Sequence, residues 1–191
     1  MKTFIKEKNE MIKTGRIVFE AGLTDTHGGN ISIRKGEHII IKKSGKMLGF
    51  LTEDDFVITT LQKNEKLDEG ASIELLVHRA IYQNFSEINA IVHAHSPYTV
   101  ACSLITNTIT PMDSEGKLLL HKVPVLSATC VVSSEEVATK IIGLLKLSPI
   151  VVVKSHGAFS TGRNLNEALK YLSALENSCK ILSIYHSVKG S

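Results

Sequence analysis

Apolar residues Ile5, Met11, Ile12, Ile17, Val18 and Ala21 recur at intervals that place them on one face of a helix over residues 4–21, and Gly22 follows as a stop. A run of turn formers over residues 24–30 separates this helix from two short β-prone runs, residues 31–33 and 38–42. These flank Arg34-Lys-Gly-Glu37 and read as a hairpin. A loop containing Ser44-Gly45 leads to a strand near residues 56–61. A second helix is expected from Ser72, whose hydroxyl can cap it, through Tyr82, which places Glu74 in its first turn. Residues 88–95 read as a buried strand. Ser96-Pro97 reads as the N-cap and first residue of a further helix, because proline lacks the N–H that goes unused there. Ser133-Ser-Glu-Glu136 has the spacing of a capping box opening a helix over about residues 134–147, residues 150–154 read as a central strand, and Asn164-Leu-Asn-Glu167 opens a last helix extending towards His186. Helices and strands interleave without a linker, so the pattern predicts one layered domain over residues 1–191, a sheet with helices on its faces. Strand order is not readable from it, and the hairpin argues against an all-parallel sheet.

Within that frame the histidines carry the chemistry. In Ile91-Val-His-Ala-His95 the alternation of side chains along a strand points His93 and His95 the same way, either as a chelating pair suited to a zinc-like ion or as satisfied core histidines. His156, in Val153-Lys-Ser-His-Gly157, is the candidate third ligand at the end of another strand, where Gly157 lets the backbone bend. Glu74 is the candidate fourth partner, as ligand or as a proton carrier. The alternative for it is a carboxylate placed by the helix dipole and paired with His78 one turn on. Gly28-Gly29-Asn30, Ser44-Gly45 and Ser72 offer backbone N–H groups and hydroxyls of the kind that cradle a phosphate, or else are simple turns and a cap. Neither a P-loop nor a GxGxxG after a strand is present.

Charge and composition remove other classes. The 22 basic against 19 acidic residues leave a net charge of +3, with only a modest cluster at Arg34, Lys35, Lys42, Lys43 and Lys46 and no Trp, so no nucleic-acid partner is expected; the cluster reads as a solvated face or else as an attractor of a small anion. Apolar runs such as residues 150–153 fall far short of the roughly 20 residues of a membrane span, and the charged N-terminus has no secretory signal. A cytoplasmic protein with reduced thiols at Cys102, Cys130 and Cys179 is expected, since the cysteines are odd in number and widely spaced.

Taken together, Gly28-Gly-Asn-Ile-Ser32, Ser44-Gly45, Ala71-Ser-Ile-Glu-Leu-Leu-Val-His78, Ile91-Val-His-Ala-His-Ser96 and Ser155-His-Gly157 resemble the class II aldolase/adducin family over nearly the whole chain. The resemblance implies a three-layer α/β/α fold around a central mixed, largely antiparallel sheet, and a homotetramer with active sites between subunits. It further implies a divalent metal, zinc or else manganese or cobalt, held by His93, His95 and His156, with Glu74 as ligand or acid/base. Gly29, Asn30, Ser44, Gly45 and Ser72 would hold the phosphate of a small sugar-phosphate substrate. The implied reaction is retro-aldol cleavage of a ketose 1-phosphate, of the L-fuculose 1-phosphate kind, to dihydroxyacetone phosphate and an aldehyde. Two departures stand out. Ser72-Ile73 replaces a pair of serines, and Glu115, in Met112-Asp-Ser-Glu-Gly116, lies nearest the place of a tyrosine that serves a neighbouring site in aldolases of the family. An acid there is similar to the methylthioribulose-phosphate dehydratases, which use a glutamate in this region as base. The alternative for Glu115 is a solvated loop carboxylate. A 4-epimerase of the family would carry an aspartate in place of Glu74, and a non-catalytic adducin-like module would lack the histidines. The stretch after the last helix is short, so a lid formed from it would be reduced.

Overall fold

The computed structural model describes residues 4–189. Seven helices run in chain order as α1 (Ile5–Glu20), α2 (Glu65–Asp68), α3 (Leu75–Asn84), α4 (Pro97–Ile105), α5 (Ser114–Leu120), α6 (Glu135–Leu145) and α7 (Leu165–Lys189) among the described residues. Eight strands alternate with them: β1 (Asn30–Lys35), β2 (His38–Lys42), β3 (Phe56–Thr60), β4 (Ala90–Ala94), β5 (Thr108–Ile109), β6 (Val123–Leu126), β7 (Ile150–Val153) and β8 (Gly157–Gly162). They form one sheet in the order β3-β2-β1-β4-β8-β7-β6-β5. Every neighbouring pair is antiparallel except β6 and β7, giving the mixed, largely antiparallel sheet that the family resemblance implies.

Alternation along the strands separates two apolar layers. On β4, Ala90, Val92 and Ala94 face α1, α4 and α7 together with Met11, Val18, Cys102, Leu172 and Leu175. Ile91 faces the opposite layer, with Val77 and Ile81 of α3 and Val137 and Ile141 of α6. The sheet is therefore buried on both faces, which fits the unbroken apolar run of β7. A buried polar chain crosses the α3 face: the Ser32 hydroxyl lies 2.6 Å from Nδ1 of His78 and 2.7 Å from the Tyr82 hydroxyl.

Several boundaries differ from the sequence reading for identifiable reasons. α3 begins at Leu75, with Glu74 at the N-cap rather than inside the first turn; Ser72 supplies a carbonyl to the Leu75 N–H and a hydroxyl 3.4 Å from the Glu74 N–H. Ser96 sits at the N-cap of α4, yet its hydroxyl donates to the Leu23 carbonyl. The cap comes instead from Glu176 of α7, whose carboxylate accepts from the N–H of Tyr98 (3.0 Å), the N–H of Thr99 (2.8 Å) and the Thr99 hydroxyl (2.8 Å). The cap of α6 is Ser134, not Ser133, and Glu136 accepts from the Thr129 N–H instead of closing a capping box. Strands β5, β6 and β8 and helices α2 and α5 have no counterpart in the sequence reading; β8 is a run of Gly, Ala, Ser and Thr around one Phe, with too little apolar contrast to register.

The buried polar groups bear directly on stability. Replacing Glu176 with Ala strands two helix N–H groups and a hydroxyl in the interior, and thermal unfolding should show a loss of about 1–3 kcal/mol. His78 is fully buried, and burial pushes its pKa down to about 3. Unfolding lets it return to about 6.5, so between these values the unfolded chain binds a proton that the folded chain does not. Stability should fall as pH is lowered through that window in metal-free protein, and His78→Gln should flatten the dependence in pH-resolved urea titrations.

Candidate active site

The centre of the sheet brings the chemistry together. Asn30 opens β1 directly opposite His93 on β4, and His93 lies opposite Phe159 on β8. The His93 ring stacks on Phe159 with centroids 4.0 Å apart and planes 18° from parallel. Its Nδ1 is 3.0 Å from the Ala158 carbonyl oxygen, which can only accept, so Nδ1 carries the proton and Nε2 presents a bare lone pair.

That lone pair points into a cluster. Nε2 of His95 and Nε2 of His156 each lie 3.1 Å from Nε2 of His93. His95 is one residue past the end of β4, so the chelating aim comes from the chain leaving the strand as well as from alternation within it. His156 sits in the turn between β7 and β8, where the left-handed residue is Ser155 (φ 62°) and not Gly157. Gly157 is needed for a different reason, since a Cβ there would come within 2.5 Å of the Ala94 carbonyl oxygen. A tetrahedral ion with Zn–N bonds of about 2.0–2.1 Å sets its nitrogen ligands about 3.3 Å apart, close to the two 3.1 Å separations from His93, and all three nitrogens lie within 4.8 Å of one another. The donor chemistry fits too. Burial, followed by the neighbouring imidazoles His95, His156 and His78, holds His93 well below its ordinary pKa, and burial with His156 lowers His95, so both rings are neutral at pH 7.

Glu74 closes the group. Its Oε1 lies 3.6 Å from Nε2 of His156 and accepts from the Ser133 N–H at 3.1 Å. The side chain is 3% exposed, and Oε2 has no hydrogen-bond partner among the described residues. A buried, half-satisfied carboxylate beside three converging imidazole nitrogens is an arrangement that a divalent cation completes. Ser133 holds the left-handed conformation (φ 50°) and also donates its hydroxyl to the Ile73 carbonyl, tying the loop before α6 to the segment that carries Glu74.

The same cleft, of about 290 Å³, is lined by Gly29, Asn30, Ser44, Gly45, Ser72 and Ile73 as well as by Glu74 and the three histidines. Gly29 is at φ 77°, and a Cβ there would meet the His93 carbonyl oxygen at 2.6 Å, so glycine alone fits. The Asn30 Oδ1 is buried without a partner among the described residues. Three lining residues, Lys42, His27 and Val132, escaped the sequence reading of the site. Lys42, which belongs to the basic cluster read as a solvated face or an attractor of a small anion, is 3% exposed, donates from Nζ to the Lys46 carbonyl at 2.5 Å, and is pushed down to about 8 by burial despite the nearby Asp55 carboxylate. His27 lines the mouth. Glu115 does not join the cleft: it stands exposed in the first turn of α5, a helix capped by Asp113 through the Gly116 N–H.

Residues 9–183 match the family model described as Class II Aldolase and Adducin N-terminal domain. The chain is 32% identical to an L-fuculose phosphate aldolase of Methanococcus maripaludis over 93% of its length and 97% of the relative's, and 30% identical to one of Methanocaldococcus jannaschii over 96% and 99%. Its fold superposes on the crystal structure of l-fuculose-1-phosphate aldolase from Thermus thermophilus with a TM-score of 0.92, at 32% identity and covering 97% of each chain. With the sheet, the histidine cluster and this near full-length likeness in agreement, the chain belongs to the class II aldolase/adducin family.

Proposed function

We propose that the chain, working as one domain over residues 1–191, is a divalent-metal-dependent aldolase of the cytoplasm. It cleaves a ketose 1-phosphate of the L-fuculose 1-phosphate kind to dihydroxyacetone phosphate and an aldehyde. The observation that carries this reading is the convergence of three imidazole Nε2 atoms and the Glu74 carboxylate in a cleft that also offers hydroxyls, glycine backbone and a buried ammonium. His93, His95 and His156 would hold the ion, with Glu74 as a further ligand before substrate enters, and zinc would suit this nitrogen-rich donor set. When bound, such an ion supplies Lewis-acid stabilisation of the negative charge that develops on the ketose oxygens as the carbon–carbon bond breaks.

The protein groups do the rest. Gly29, Asn30, Ser44, Gly45 and Ser72 hold the phosphate through N–H and hydroxyl donors, and Lys42 adds a desolvated positive charge that a phosphate dianion stabilises. Anchoring that end orients the reacting carbons towards Glu74. Glu74, which takes up a proton from solvent, delivers it to the carbon left electron-rich by cleavage and removes it in the synthetic direction, with the Ser133 N–H keeping its carboxylate aimed into the cleft. Glu115, exposed and outside the cleft of its own chain, acts at the cleft of a neighbouring subunit in a homotetramer, where it accepts the hydroxyl proton released with the aldehyde.

The test is a coupled assay for triose phosphate release from a panel of ketose 1-phosphates on zinc-loaded protein. Release that is abolished by a chelator and restored by zinc is expected; loss of water from methylthioribulose 1-phosphate with no triose phosphate would transfer the chain to dehydratase chemistry. Glu74→Gln should keep the metal and lower kcat by about 100-fold or more, the range of a lost general acid/base. Lys42→Met should raise KM about tenfold while leaving metal content unchanged, as expected for one charge-assisted bond to phosphate.

A further inference from the structure

His93 and His95 are delivered by β4 and its continuation, but His156 arrives from the turn between β7 and β8, and something must keep that turn in register with β4. The turn is short, Val153 pairing with Gly157 across it, and its middle residue Ser155 has φ 62°, a conformation a non-glycine residue adopts only when its surroundings hold it there. Within the turn the His156 N–H bonds back to the Val153 carbonyl at 3.1 Å, which leaves the Ser155 N–H to find an acceptor elsewhere. It finds the Oγ of Ser103, at 3.0 Å.

Ser103 is well placed for this. It is fully buried, in the last turns of α4, and its hydroxyl proton is committed to the Val100 carbonyl at 2.6 Å, so its lone pair is free to accept. α4 itself cannot drift. It leaves β4 immediately after His95, and its N-terminus is clamped by Glu176 through Tyr98 and Thr99 and by the Ser96 hydroxyl on Leu23. A single helix thus starts two residues after His95 and, through Ser103 near its end, contacts the backbone beside His156.

Resting on the metal reading of the three histidines, we propose that Ser103 is a positioning residue. Through its bond to the Ser155 N–H it holds the left-handed turn that aims His156 at His93 and His95, and so sets the affinity of the metal site without touching the metal. Outer residues that orient a ligand typically alter metal affinity by about 10–100-fold when removed.

The experiment is a competitive titration of metal-free protein with Co2+ and with Zn2+, followed by the visible spectrum of the cobalt form, alongside amide hydrogen exchange of Ser155 in the metal-free state. Ser103→Ala should bind both ions about tenfold or more weakly, with a changed cobalt spectrum, and should speed exchange at Ser155. Adding Ser155→Gly, which adopts the turn conformation without strain, should recover most of the affinity in the Ser103→Ala background, a rescue that a merely destabilised protein would not show. If the alanine variant fails to fold, Ser103→Cys keeps the volume with a poorer acceptor and should give an intermediate loss. Equal affinities in wild type and variant, or weakened binding with Ser155 still protected, overturn the role of Ser103 alone. A wild-type protein that takes up neither ion overturns the metal reading and this role together.

Discussion

One hydrogen bond governs the cleft: the His93 Nδ1–H donated to the Ala158 carbonyl across the β4–β8 pairing. It fixes the tautomer, turns the Nε2 lone pair inward, and does so in a place where burial keeps the ring uncharged. Three imidazole nitrogens and a carboxylate crowd into one small volume, so the surrounding structure has to hold each from behind. Phe159 stacks on His93, the Ser133 N–H holds Glu74, and the turn at Ser155 holds His156. The fold is organised to supply those supports.

This explains why the site lies where it does in the sheet. β1, β4 and β8 are central and antiparallel, so the start of β1, the end of β4 and the start of β8 meet at one edge. There Asn30 faces His93, the chain turns into α4, and Gly157 and Gly29 allow backbones to approach within distances a Cβ would forbid. The opposite faces of the same strands are plain apolar core. The rigidity of the catalytic end therefore derives from the same register that buries Ile31, Ile91 and Phe159.

Much of this was legible in the sequence because it rests on local rules. The histidine alternation, the Gly-Gly-Asn turn, the first hairpin and the long last helix with its Asn164 cap all follow from spacing and residue type, and one cleft gathers Glu74, Gly29, Asn30, Ser44, Gly45, Ser72 and the three histidines. What escaped depended on tertiary partners. Glu176 caps a helix from 77–78 positions away, replacing the local cap of Ser96. Lys42 looked like surface charge until the end of β2 turned it inward. β8 lacks apolar contrast because it is enclosed on both sides, and the short helix that carries Glu115 is set by Asp113 rather than by hydrophobic period. Glu115 itself remains apart from the cleft of its own chain.

X-ray absorption at the zinc edge of stoichiometrically loaded protein addresses the histidine centre itself. The structure predicts about one ion per chain with three imidazole nitrogens at about 2.0–2.1 Å and light-atom scattering only. A sulfur shell near 2.3 Å, or a spectrum with fewer than two imidazoles, would contradict the reading of His93, His95 and His156 as one metal-binding unit.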